Sequence, residues 1–318
     1  MKFTRYFLIC ISIFLWISCG SDKDVKDILS KSDALLQSNP DSAFTLLESV
    51  EELDVLSDET FAAWCLANAN VRDILFKEPL STDYMLRAFN YFKNKGRINE
   101  QARIGMFLGH AYNASQQRDK AMNIYLVALD LADRSQDYNL AGYINTYLAD
   151  QYKFEEKYNQ AKEKYQEAAT YFEKANNLRS RVIAMTNTGF MSFFLKENDN
   201  IVLNYYTLSD SLALELKDSV VSSMVNNRIA LFYRVQEKYD LAEKYLLKSM
   251  EYSKGDNIPN YITLSNIYGL QGKIDKSREL LQNISQSESN PEAKAGLIYQ
   301  QYLVEKEEKN KLEQPTVA

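Results

Sequence analysis

Between residues 98 and 286 small and apolar residues recur at helical spacing, and the recurrence itself repeats. Five turns share one layout: Arg118-Asp119-Lys120-Ala121, Tyr158-Asn159-Gln160-Ala161, Asn198-Asp199-Asn200-Ile201, Tyr239-Asp240-Leu241-Ala242 and Ile274-Asp275-Lys276-Ser277. The anchors Ala121, Ala161, Ile201, Ala242 and Ser277 stand 40, 40, 41 and 35 residues apart. An Asp or Asn side chain caps a helix by accepting from an orphan backbone N–H, so a helix is predicted to begin just after each Asp or Asn. Four and seven places after the anchors come Tyr125 and Ala128, Tyr165 and Ala168, Tyr205 and Leu208, Leu246 and Ser249, and Leu281 and Ile284, one face of a helix each time. Twelve places before the anchors lie the small residues Gly109, Ala149, Gly189, Ala230 and Ser265. Three residues after these come Tyr112, Tyr152, Ser192, Tyr233 and Tyr268.

Proline placement agrees with a helical body. None lies between Pro79 and Pro259, and an interior proline would cost a helix about 3 kcal/mol. Residues 25–95 read as two divergent helix pairs, roughly 22–38 with 41–50 and 58–76 with 82–95. Pro291 opens a closing helix over 291–312, within a capping segment 291–318 whose charged run Glu305 to Lys311 suits the solvated end of a stack.

Leu108-Gly109-His110-Ala111-Tyr112 with Ala121, Tyr125 and Ala128, and Leu148-Ala149-Asp150-Gln151-Tyr152 with Ala161, Tyr165 and Ala168, resemble the tetratricopeptide repeat family. The third repeat departs from it with Ser192 and Ile201, and the family's early Trp and late Pro are missing. The resemblance implies an all-α, right-handed α-solenoid of stacked antiparallel helix pairs, five of them over 98–286, with a C-terminal capping helix. It also implies a scaffold for a protein or peptide partner rather than an enzyme.

Composition narrows the classes. With 37 basic and 43 acidic residues the net charge is −6, which argues against a nucleic-acid partner. Three Cys cannot build a disulfide scaffold, and a single His, His110, leaves no common His/Cys metal site. No glycine-rich phosphate loop is present, because Gly105 and Gly109 fall inside a helix without a following Lys-Ser or Lys-Thr pair. No catalytic, metal or cofactor residues are therefore expected. Cys65, within the apolar stretch Phe61 to Ala67, is expected to be a buried, inert thiol.

The first residues read as an address. Lys2 and Arg5 precede an uncharged run from Phe7 to Ile17, too short for an ordinary spanning helix, so 1–18 is expected to be a signal peptide. Ser18-Cys19-Gly20 resembles the bacterial lipobox, with Trp16 at the usual Leu position, which implies a covalent lipid such as palmitate on Cys19. Residues 19–24 would then form the anchor and a short acidic tether. Removing Lys2 and Arg5 takes the net charge from −6 to −8. The expected location is extracytoplasmic, at the outer membrane on its periplasmic or surface face.

By register, the first helix of each pair lines an inner groove. The candidate binding residues there are His110, Asn113, Tyr143, Tyr147, Asp150, Lys153, Asn187, Phe190, Phe194, Asn227, Arg228 and Arg234. Positions that grip a C-terminal carboxylate in some family members hold Met106, His110 and Tyr147 here, so that particular clamp is not implied. Two further readings stand beside the scaffold. The Pro40-Asp41-Ser42-Ala43 opening resembles the sensory input region of longer membrane-spanning regulators, and helical-repeat surface lipoproteins suggest glycan capture in an uptake complex.

Overall fold

The computed structural model describes residues 21–253, 258–287, 294, 296–304 and 306. The expected signal peptide at 1–18, Cys19, Pro291 and the end at 314–318 lie outside the described residues. The chain divides into two compact units, Met1–Glu155 and Glu156–Ala318.

Every described element is helical. In the first unit α1 (Ser21–Leu35), α2 (Pro40–Glu48), α3 (Asp58–Ile74), α4 (Thr82–Lys95), α5 (Ile98–Ala114), α6 (Arg118–Arg134) and α7 (Tyr138–Phe154) each pack on the next, with a 3-10 turn at Leu53–Val55. In the second, α8 (Tyr158–Lys174), α9 (Leu178–Phe194), α10 (Asp199–Leu216), α11 (Ser219–Val235), α12 (Tyr239–Tyr252), α13 (Ile258–Leu270) and α14 (Ile274–Ser287) do the same. A further helical stretch covers 296–304 and buries Leu297 and Val304 beside Leu281 and Ile258. The fold class is all-α, built of stacked adjacent helix pairs of tetratricopeptide type.

The repeated positions form the core. Ala121, Ala161, Ala242 and Ser277 are fully buried, and so are Tyr125, Tyr165, Leu246 and Leu281. The third repeat is shifted by one residue from the predicted register. Val202, Tyr206 and Ser209 are buried, while the expected Ile201 and Leu208 are 45% and 44% exposed. The cause is the link: residues 195–198 join α9 to α10, one residue more than 115–117 between α5 and α6. Gly109 is required by closeness, since a Cβ there would stand 2.2 Å from Cε1 of Tyr125.

Helix starts also differ from the expectation. Asp119, Asn159, Asp199, Asp240 and Asp275 all sit inside the first turn of their helices, and in the third turn the capping side chain is Asn198, one residue before the expected Asp199. An acidic group within the first turn still favours the helix through the macrodipole. Side-chain caps belong mostly to the first helix of each pair: Asp137 accepts from Leu140 N at 3.0 Å, Asn177 from Ser180 N at 3.0 Å and Asp218 from Val221 N at 3.1 Å.

Helix ends are uniform. Gln116, Gln136, Asn176, Lys196 and Glu237 all have φ between 54° and 61°. The next N–H reaches back to a carbonyl of the last turn, as in Gln117 N to Tyr112 O at 2.8 Å and Asp137 N to Ala132 O at 3.0 Å. This is the Schellman closure, made here without glycine.

Polar contacts tie residues about one repeat apart. Arg103 meets Asp137 at 3.5 Å in the first unit. In the second, Lys162 meets Glu197 at 2.5 Å, Arg179 meets Asp218 at 2.8 Å and Lys248 meets Asp210 at 2.8 Å.

Candidate functional site

In the first unit a cavity of about 340 Å³ opens between α3, the 77–80 link, α5, α6 and α7. Helical register brings His110 and Asn113 of α5 together there with Tyr147 and Asp150 of α7. Phe107, Tyr125 and Tyr147 supply aromatic walls. The His110 ring meets Tyr147 edge-on at 4.3 Å, and Tyr147 stacks on Tyr125 at 5.9 Å.

The sequence reading did not include the wall from α3. Arg72 is committed within the protein, donating to Asn68 Oδ1 at 2.6 Å, Glu78 O at 2.9 Å and Glu48 Oε1 at 3.0 Å. Lys77 lies 4.6 Å over the Phe44 ring. Asp73 is different: its carboxylate stands 3.8 Å from His110 Nδ1, beyond hydrogen-bond range. The repeat pattern does not extend into α3, so no register pointed to Asp73.

His110 is 17% exposed, and its Nε2 is buried with no hydrogen-bond partner. Burial pushes the imidazole pKa down to about 4, so the ring is neutral at pH 7. Burial also raises the Asp73 carboxyl, and it raises the Tyr125 and Tyr147 phenols. The cavity thus offers aromatic walls, a neutral imidazole and a carboxylate. Among the described residues no group of three His, Cys, Asp or Glu could hold a metal ion.

The other candidates in this unit lie nearby. Lys153 bonds Asp150 at 2.5 Å, and Tyr143 is exposed on α7. Met106 is buried in the core. Cys65 is fully buried, with its thiol 3.7 Å from Tyr84 O, and burial raises its pKa.

In the second unit Asn227 and Arg228 of α11 line a cavity of about 550 Å³ with Ser219, Ser253 and Asn260. The Arg228 guanidinium lies 3.9 Å over the Phe190 ring, and Phe190 meets Phe194 edge-on at 4.8 Å. Phe194 also stacks on Tyr158 at 5.0 Å. Both phenylalanines therefore have aromatic neighbours inside the unit. Asn187 is half-buried on the same helix as Phe190. Arg234 borders a separate cavity of about 520 Å³ with Asn266 and Gln300, whose side chains bond each other. Six of the twelve candidates belong to each unit, and within the second Arg234 borders a different cavity from Arg228.

Comparison with known proteins agrees on the fold. The family model for soluble NSF attachment protein, SNAP, matches residues 40–185, a little under half of the chain. No curated protein matches. Several solved structures are similar. The apo form of RapI superposes with a TM-score of 0.59 at 16% identity, over 87% of this chain and 98% of that one. The apo form of the quorum sensor NprR from B. thuringiensis gives 0.59 at 15% identity, over 89% and 80%. NprR in complex with its cognate peptide NprX gives 0.56 at 16% identity, over 93% and 89%. These likenesses and the paired helices define a helical-repeat protein of SNAP and tetratricopeptide-like fold.

Proposed function

We propose that the chain is a lipid-anchored, extracytoplasmic scaffold that captures a peptide or an extended segment of a partner protein. The observation that carries this reading is the first-unit cavity, where a buried imidazole nitrogen without a partner sits among aromatic rings. An apolar side chain of the ligand fits against Tyr147, and Asp73 and Asn113 on the same lining meet its polar groups. The NprR–NprX complex supports the choice of a peptide. Lipid attachment at Cys19 rests on the residues that resemble a lipobox. A photocrosslinker at Asn113 tests capture in cells. One discrete partner should be retrieved by the otherwise wild-type chain and lost with Tyr147→Ala at unchanged melting temperature. Equal retrieval by both would refute this cavity as the site. Fatty-acid labelling that survives Cys19→Ala would refute the anchor.

A regulatory reading draws on the likeness to the quorum sensor NprR. In it the captured peptide is a signal, and deletion of the protein should change transcription in a way that adding peptide cannot restore.

A further inference from the structure

Arg228 is a cation without an anion. Arg72, Arg103 and Arg179 each hold a carboxylate. Arg228 has neither an ion pair nor a hydrogen bond among the described residues, and its guanidinium rests on Phe190. The groups that act on its charge are the phenols of Tyr206 and Tyr165, and burial makes the charged form less favourable. Among the described residues that line this cavity none is acidic.

The rest of the lining is rich in donors. The Ser219 and Ser253 hydroxyls have no partner among the described residues. The Asn227 amide donates to Asn260 Oδ1 at 2.8 Å, which turns the Asn260 carbonyl away and leaves its NH2 group as a donor. By contrast, the Ser223 and Ser249 hydroxyls bond each other at 3.0 Å and are already used. A guanidinium resting on an aromatic ring, in a cavity that also carries hydroxyl and amide donors and no acid among the described residues, suits a carboxylate taken in the bidentate manner.

We propose that the second-unit cavity is a carboxylate-binding site in which Arg228 anchors a carboxylate of a bound peptide, while the donors of Ser219, Ser253 and Asn260 on the same lining meet other polar groups of that peptide. The peptide origin of the carboxylate rests on the capture reading above. The anion site itself does not, because it uses different residues in a different unit.

The full chain, labelled with 15N-arginine, is titrated with four probes, and Arg228→Lys assigns the guanidinium Nε–H signal. The probes are acetyl-Ala-Ala-Tyr-Leu with a free carboxylate, the same peptide amidated, amidated acetyl-Ala-Ala-Glu-Leu, and inorganic phosphate. The Arg228 signal should shift with the free-carboxylate peptide or the Glu peptide, which separates a chain terminus from an acidic side chain as the source. The amidated Tyr-Leu peptide should bind at least about tenfold more weakly. Arg228→Gln should reduce affinity for the carboxylate probe by roughly ten- to a hundredfold. Asn260→Asp places a carboxylate inside the cavity, so it should abolish probe binding while keeping or raising the melting temperature. Equal responses to free and amidated Tyr-Leu peptides with a silent Glu peptide would overturn the proposal, as would a response to phosphate alone. Undiminished probe affinity in a folded Asn260→Asp protein would overturn it too. A carboxylate response at Arg228 alongside failed capture at Asn113 would leave this site standing and refute the other.

Discussion

Replacing Gly109 by Ala tests the close approach of α5 and α6. In an open helix the change gains up to about 1 kcal/mol, because Ala is the better helix former. Here the new methyl would stand 2.2, 2.5 and 2.8 Å from three ring atoms of Tyr125. Carbon atoms rest at about 3.5–4.0 Å, so the ring must retreat by roughly 1 Å. It is fully buried and backed by Tyr147 and His110, with both ring centres 5.9 Å away. Overpacking of this kind costs about 1–3 kcal/mol, or more where the neighbour cannot yield. The expected net effect is a destabilisation of about 1–2 kcal/mol, a fall of several degrees in melting temperature. Urea melts followed by circular dichroism and by tyrosine fluorescence would measure it. Gly296→Ala is the control: with nothing within 4 Å of its Cβ, it should be neutral or slightly stabilising. Combined with Tyr125→Leu, Gly109→Ala should cost less than it does alone, since the obstructing ring is gone. A Gly109→Ala protein as stable as wild type would refute the crossing argument.

Other expectations follow from single residues. The His110 pKa is depressed from 6.5 to about 4, so its contribution is full above about pH 6.5 and is lost as pH falls toward 4. At about 1.4 kcal/mol per unit this amounts to about 3 kcal/mol, reduced by the opposite shift of Asp73. Urea midpoints at pH 7 and 4.5 should differ more for wild type than for His110→Gln. Cys65 should resist a thiol reagent in the native protein and react at the global unfolding rate; rapid native labelling would contradict its burial. Gln136 sits at φ 57°, where a left-handed residue other than glycine costs about 1–2 kcal/mol, partly offset by the backbone entropy of glycine. Gln136→Gly should therefore raise stability by about 0.5 kcal/mol, read from the same melts.

Much of the fold was legible because stacking imposes a period. Ala121, Tyr125 and Ala128 must face a neighbouring helix, and the same demand about 40 residues on selects Ala161, Tyr165 and Ala168. The one-residue slip at Val202 was hidden because Ile201 and Val202 are both branched and apolar. Only the length of the 195–198 link moves the core from one to the other. Candidate sites were less legible. His110, Asn113, Tyr147 and Asp150 could be placed by register, since α5 and α7 obey the repeat. Asp73 and Pro79 could not, because their wall comes from a divergent pair and the link after it. Arg228 was visible as a residue, but that it lacks a counter-charge depends on which side chains fold around it.

The ties between residues 34 to 39 positions apart, such as Arg103–Asp137, Lys162–Glu197, Arg179–Asp218 and Lys248–Asp210, give the protein a mechanical grain. Each reaches only as far as the adjoining repeat, so within a unit load passes from neighbour to neighbour. A chain tethered at one end and pulled at the other would then yield in increments. Each surrendered helix pair frees about 40 residues, roughly 130 Å of extended backbone.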